Sequence, residues 1–241
     1  MNDNKKFENL KKKIINKKFS VGIIGLGYVG LPICSRFVKA NIKVFGVDND
    51  KKKINLLKKG IPYINNDDNR ITDYFKKNKN QVSSKYEILK ECDAILICLP
   101  TPLKNLKPDM SHVNNCARKL RKILKPYQIL ILESTVYPGA SDDLCDIVSN
   151  KKLKAGYNFF LGYSPERENP GDKKFSYKKT PKIISGITSK CISLIKEIYS
   201  PIVKKLVVAK NVREAELSKL LENMYRAVNI GMVNELKIIC D

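Results

Sequence analysis

A chain of 241 residues, 43% hydrophobic and 29% charged, is long enough to close one substantial core with a smaller unit beside it. It contains no run of 18 apolar residues and no apolar h-region near its start, which excludes a membrane-spanning helix and argues against a secretory signal, so a cytoplasmic protein with no membrane partner is expected. The net charge of +22 invites a nucleic-acid reading, but the excess is lysine spread along the whole chain, with arginine only at 36, 70, 118, 121, 167, 213 and 226. Bidentate base contacts lean on arginine, so a lysine-rich solvated surface is expected and no nucleic-acid partner, although the positive field draws anionic ligands.

In chain order, residues 5–17 place Phe7, Leu10 and Ile14 on one helical face, a short amphipathic helix docked on the body that follows. VGIIG (21–25) reads as a buried parallel strand, 28–40 as a helix, 43–48 as a second strand and 50–59 as a second helix. The runs 93–100, 128–135, 159–165 and 181–186 are strand-like without clean alternation, as strands buried on both faces are. Helical stretches at 111–125, 138–150 and 188–199 lie between them. This alternation predicts an α/β fold, a doubly wound Rossmann-type parallel sheet with right-handed crossovers. The segment 212–240 has no interior breaker except Gly231 and reads as one long helix that bridges units or forms a dimer surface. The expected organisation is an amphipathic helix over 1–18, a dinucleotide-binding domain over 19–208, and the start of a central helical domain over 209–241.

Gly25-Leu26-Gly27-Tyr28-Val29-Gly30 follows the first strand and opens a helix. In that context the glycines permit a tight turn, close approach of a pyrophosphate and close helix–strand packing, with the helix N-terminus facing the phosphates. Asp48 ends the second strand 23 residues after Gly25, where a carboxylate accepts hydrogen bonds from the adenine ribose and repels a 2′-phosphate. NAD is therefore the expected cofactor, rather than NADP.

Three further loops end strands: Pro100-Thr101-Pro102, Glu133-Ser134-Thr135 leading to Tyr137-Pro138-Gly139, and Ser164-Pro165-Glu166-Arg167. Each alone is compatible with ordinary turn chemistry; three converging on the ligand-binding rim of a doubly wound sheet favour a site. On the long helix, Glu216, Lys219 and Asn223 fall at i, i+3 and i+7 and share a face, either solvated or gripping a substrate. Seven cysteines show no CxxC pair and no zinc spacing, so reduced, mostly buried thiols and no metal are expected. His112 is expected to be a surface or packing residue.

The strings GLGYVGLP, CLPTPL followed by PDMS, ESTVYPG, SPERENPGD and AELSKLLENMYRAVNIGMVNE resemble the UDP-glucose/GDP-mannose dehydrogenase family, in that family's order and over about residues 20–241. The PYI after Gly60, the ESTVYPG and SPER…NPGD forms and the RAVNI…VNELK helix are most similar to its UDP-N-acetylglucosamine 6-dehydrogenase branch. The resemblance implies two-step NAD-dependent oxidation of the primary alcohol of a UDP-sugar to a carboxylate, through thiohemiacetal and thioester intermediates on a cysteine. It implies that Thr135 holds a catalytic water near the nicotinamide and that Glu166 is the general acid/base. It also implies that Lys219 stabilises an oxyanion, that Asn223 orients substrate and water, and that Lys53 and Thr101 contact the cofactor. A homodimer through the long helix is implied as well.

Two departures stand out. Pro170 occupies the position of a second glutamate found in some relatives, and the glycine-rich segment carrying the family's cysteine is absent, Cys240 lacking the expected Gly-Gly before it. The expected reading is thus the N-terminal part of a longer dehydrogenase, able to bind NAD but not to complete the oxidation. The alternatives are a UDP-N-acetylmannosamine or UDP-glucose enzyme, or a non-catalytic NAD-binding and dimerising module.

Overall fold

Short apolar runs without polar alternation need cover on both faces. The computed structural model, which describes residues 3–64, 69–166 and 180–241, gives them that cover. Helix α1 (Asp3–Ile15) leads to strand β1 (Ser20–Ile24), α2 (Gly30–Lys39), β2 (Lys43–Val47) and α3 (Lys51–Lys59). Next come α4 (Arg70–Lys77), the short β3 (Val82–Ser83) and β4 (Ala94–Ile97). A small hairpin of β5 (Leu103–Lys104) and β6 (Lys107–Pro108) precedes α5 (Ser111–Ile123), β7 (Ile129–Leu132), α6 (Ala140–Val148) and β8 (Phe160–Tyr163). Then follow β9 (Lys182–Gly186), α7 (Ser189–Tyr199), β10 (Leu206–Val208) and α8 (Val212–Cys240).

Eight strands form one sheet in the order β10-β9-β8-β7-β4-β1-β2-β3. Side chains alternate across it as the pleat requires. Val21 and Ile23 of β1, Ala94 and Leu96 of β4 and Ile129 and Ile131 of β7 face a core closed by α1, α2 and α7. Ile24, Ile95, Ile97, Leu130 and Leu132 face the opposite core, closed by α5, α6 and the first turn of α8. The fold is the expected doubly wound α/β sheet followed by a long helix. Phe7, Leu10 and Ile14 are the buried face of α1, and Phe7 meets the Phe160 ring with centroids 5.5 Å apart.

Within this parallel sheet one pairing is reversed. Neighbouring strands pair in parallel except β8 and β9, which run antiparallel with Gly162 opposite Gly186. A parallel β9 would begin at the far edge of the sheet; the reversed strand begins beside the C-terminal end of β8 and brings Lys182 there. Strands also stop earlier than their apolar runs, β4 at Ile97 and β7 at Leu132. Beyond those points the chain turns into loops that supply the site.

Among the described residues no helix is long and apolar enough to cross a membrane. The thiols are free: Cys34, Cys92, Cys116 and Cys191 are buried, Cys98 and Cys145 half-buried, and Cys240 is exposed. Burial pushes the Cys116 thiol up to about 12, which leaves it unreactive.

Candidate functional site

The chain leaves β1 toward β2 and β3 on one side, then returns to lay β4, β7 and β8 on the other. A doubly wound sheet opens a crevice at this reversal, at the C-terminal ends of its strands. A cleft of about 740 Å³ occupies that place. Its lining takes in the glycine turn after β1, Asp48 after β2, Thr101 after β4, Thr135 after β7, Glu166 after β8, and Lys219 with Asn223 from α8.

The glycine turn is held by steric necessity. Gly25 has φ +91°, and a Cβ there would lie 2.5 Å from the Cys98 carbonyl oxygen. At Gly30, the first residue of α2, a Cβ would lie 1.9 Å from the Gly25 carbonyl oxygen, so strand end and helix start are in direct backbone contact. Gly30 does not itself line the cleft; it sets the packing beneath it. Gly27 is different: a Cβ there would meet nothing within 4 Å. That open cradle beside the start of α2 fits a dinucleotide phosphate. Tyr28 is exposed and Val29 half-buried at the cleft edge.

Asp48 is buried, and its two oxygens accept the Leu26 and Asp50 amides, each oxygen taking one bond, at 2.8 and 2.9 Å. Lys53 Nζ stands 3.8 Å from the same carboxylate. The acidic group is thus fixed to the glycine turn by its own backbone bonds, with a cation beside it. Across the cleft, the Thr101 hydroxyl donates to the Thr135 carbonyl at 2.6 Å, and Ser134 Oγ donates to the Leu99 carbonyl at 2.7 Å. These bonds tie the ends of β4 and β7 together.

Beneath Glu166 lies a buried charge network that the sequence reading did not identify. Lys182, 3% exposed, donates to Glu133 Oε2 at 2.9 Å and to the Ser164 and Pro165 carbonyls at 3.3 and 3.2 Å. Its Nζ is also 3.7 Å from Glu166 Oε2 and 5.0 Å from the Tyr199 ring centroid. The Tyr199 hydroxyl donates to Glu133. Burial pushes the Glu133 carboxyl above the usual carboxylate range; Lys182 pulls against that rise and Glu166 adds to it. One ammonium therefore serves two carboxylates and also holds the backbone that leads into Glu166.

Helix α8 starts at the N-cap Asn211, whose side chain accepts the Glu214 amide at 2.9 Å. The face carrying Glu216 and Lys219 is not solvated: Glu216 is fully buried and Lys219 is 9% exposed, while Asn223 is exposed at the cleft. Glu216 takes the Gly139 amide at 2.6 Å and the Ser141 amide at 2.8 Å, capping the N-terminus of α6 from another helix. Lys219, one turn on, pairs with Glu222 at 3.7 Å. Glu216→Gln keeps the shape but offers an amide where one backbone donor needs an acceptor. It should lower stability by roughly 1–3 kcal/mol in urea unfolding; an unchanged midpoint would show that the cap does not hold α8.

The residues expected to take part in catalysis or cofactor binding all line the one cleft except Gly30, whereas Glu216, which shares a helix face with Lys219 and Asn223, does not line it. His112, Asn115 and Lys119 of α5 also line it. Their helical spacing was visible in the sequence, but no motif marked them, and His112 is exposed as expected. Arg167 and Pro170 lie outside the described residues. Among the described residues no cluster of three His, Cys, Asp or Glu side chains has the arrangement of a metal site.

Residues 19–203 match the family described as UDP-glucose/GDP-mannose dehydrogenase family, NAD binding domain, and residues 213–241 match its central domain. The chain belongs to this family. The Protein CapL of Staphylococcus aureus is 40% identical over 229 residues, which cover 92% of this chain and 52% of that protein. A UDP-N-acetyl-D-glucosamine 6-dehydrogenase of Salmonella typhi is 38% identical over 226 residues, 91% of this chain and 52% of that protein. Among solved structures, the UDP-D-ManNAc dehydrogenase of Pyrococcus horikoshii superposes with a TM-score of 0.84 at 30% identity, covering 90% of this chain and 52% of that one. The chain thus spans about half the length of the curated relatives it matches. Its sheet and glycine turn are the family's NAD-binding domain.

Proposed function

We propose that this chain supplies the NAD-binding half of the active site of a UDP-sugar 6-dehydrogenase, with UDP-N-acetylglucosamine as substrate. The observation that carries the reading is the meeting of Glu166, Lys219 and Asn223 with the glycine turn and Asp48 in one cleft. The choice of sugar rests on likeness. Relatives named UDP-N-acetyl-D-glucosamine 6-dehydrogenase are 38% and 36% identical, and those named for UDP-N-acetyl-D-mannosamine 30–32%. In this reading 19–208 is the cofactor unit and 209–241 begins a central helical unit. That unit pairs two copies of the protein through α8, whose Leu221, Met224 and Val228 are exposed.

Asp48 takes the adenine ribose, with Lys53 and Thr101 at the same ligand; the amides of the glycine turn and the start of α2 take the diphosphate. Bound NAD supplies the hydride acceptor. Lys219 places a cation where the sugar alcohol develops negative charge, an interaction stronger in the transition state than in the ground state. Glu166 passes a proton to or from water, Thr135 holds that water, and Asn223 orients the sugar hydroxyl. Cys98 and Leu99, both half-buried, contribute apolar wall to the same cleft.

The test uses the whole protein, NAD and a set of UDP-hexoses, with NADH formation followed by absorbance. Two NADH per UDP-N-acetylglucosamine are expected, and Glu166→Gln and Lys219→Ala should each slow turnover by roughly 10²–10⁴-fold. No NADH from any UDP-hexose, with NAD still bound, would leave a cofactor-binding module as the better account.

A further inference from the structure

Leu26, between the first two glycines of the turn, is fully buried and has both of its backbone polar groups engaged by side chains from elsewhere in the chain. Its N–H donates to Asp48 Oδ2 at 2.8 Å. Its carbonyl accepts the Tyr63 hydroxyl at 2.6 Å. Tyr63 lies beyond α3, past the left-handed Gly60 that caps that helix, and the Lys53 ammonium sits 6.0 Å over its ring. The preceding Gly25, with φ +91°, donates its N–H to the Val47 carbonyl at 2.8 Å, so the turn is tied to β2 as well.

The peptide linking Leu26 to Gly27 is planar and trans, so its N–H points opposite to its C=O. A hydroxyl that holds the Leu26 carbonyl on one side therefore sets the direction of the Gly27 amide on the other. Gly27 lines the cleft, and the space around it is open. We propose that Tyr63 is a positioning residue for the dinucleotide: by holding the Leu26 carbonyl it aims the Gly27 amide at the diphosphate. The phenol is suited to that task. Burial keeps it protonated far above neutral pH, with the Cys34 thiol, Asp48 and Asp50 adding to the rise, so it is always a donor. Asp48 and Tyr63 thus act on the same residue from opposite ends. One carboxylate recognises the ribose and orients the turn; one hydroxyl fixes the peptide that follows. The inference rests on the NAD-binding reading of the cleft.

The test is Tyr63→Phe in the full chain, which removes one oxygen and leaves the ring in place. NAD, ADP-ribose and adenosine are titrated by calorimetry against parent and variant. We expect the dissociation constants of the two diphosphate ligands to rise roughly 5- to 30-fold, as for a lost buried hydrogen bond, with adenosine changed by less than about twofold. In the ligand-free chain the Gly27 amide resonance should move in a ¹H–¹⁵N spectrum. Undiminished NAD affinity in the variant would overturn the proposal even if its melting temperature fell, because a purely structural tyrosine predicts that pattern. Equal losses for all three ligands would overturn it too, since they signal a general loss of the pocket. Failure of the parent chain to bind NAD would instead sink the reading beneath it, and this inference with it.

Discussion

Lys182→Met should lower the stability of the chain by roughly 3–5 kcal/mol, the loss expected when one partner of a buried ion pair is removed. The substitution leaves Glu133, fully buried, with the Tyr199 hydroxyl and no cation at 2.9 Å, while Glu166 stands close by. The sign of the pH dependence follows from the same geometry. Burial already holds the Glu133 carboxyl above its ordinary range, and Lys182 is the group that opposes this. Without that cation the folded-state value rises further above the unfolded one. A raised carboxyl favours the folded state in acid and burdens it as pH rises, so the deficit against the parent should be larger near neutral pH than in mild acid. Urea unfolding at the two pH values checks both points. Adding Glu133→Gln to the same variant should recover part of the loss, because the more deeply buried of the two carboxylates that Lys182 serves is then uncharged. A deficit below about 1 kcal/mol, or one that grows in acid, would contradict the account.

Gly27→Ala and Gly30→Ala should separate folding from binding. At Gly30 the new methyl meets backbone, 1.9 Å from the Gly25 carbonyl oxygen, and backbone cannot move aside as a flexible side chain does. A loss of about 3 kcal/mol is expected, at the upper end of overpacking, with NAD affinity lost along with the turn. At Gly27 the methyl meets nothing, and φ is outside the left-handed region. Stability should hold or improve by about 0.4–1 kcal/mol, as for glycine to alanine at a compatible site. NAD affinity should nevertheless fall by about tenfold or more, because the methyl stands where the phosphates approach. Thermal unfolding and NAD titration on both variants decide the matter: equal NAD binding by Gly27→Ala and the parent would place the diphosphate elsewhere.

The alternation of strands and helices was legible because strands covered on both faces and amphipathic helices leave different periods. The glycine turn was legible because its spacing, with a strand before and a helix after, follows from the sterics of phosphate approach. Lys182 was hidden for two reasons. It is one lysine in a chain crowded with them, and its place at the site depends on β9 running opposite to β8. A run such as PKIISG is equally apolar in either direction, so no period reports it. Glu216 and Lys219 were read as sharing a face, but what buries Glu216 is the start of α6, 77 positions away from it at Gly139. The short β3, α4 and the edge strand β10 escaped because two to eight residues give too little repeat to distinguish from a loop.

Position along α8 sets how strongly a change in its direction is felt at the cleft. Its buried residues are Val212, Ala215, Glu216 and Lys219, all within the first third of its 29 residues. At 1.5 Å per residue, Asn223 is only about 6 Å beyond the last clamped position, whereas Cys240 is about 32 Å away. A tilt of about 5° at the clamp swings the tip by about 3 Å but moves Asn223 by about 0.5 Å. Side chains set close to the clamp keep their aim on the cleft through small changes in the direction of α8.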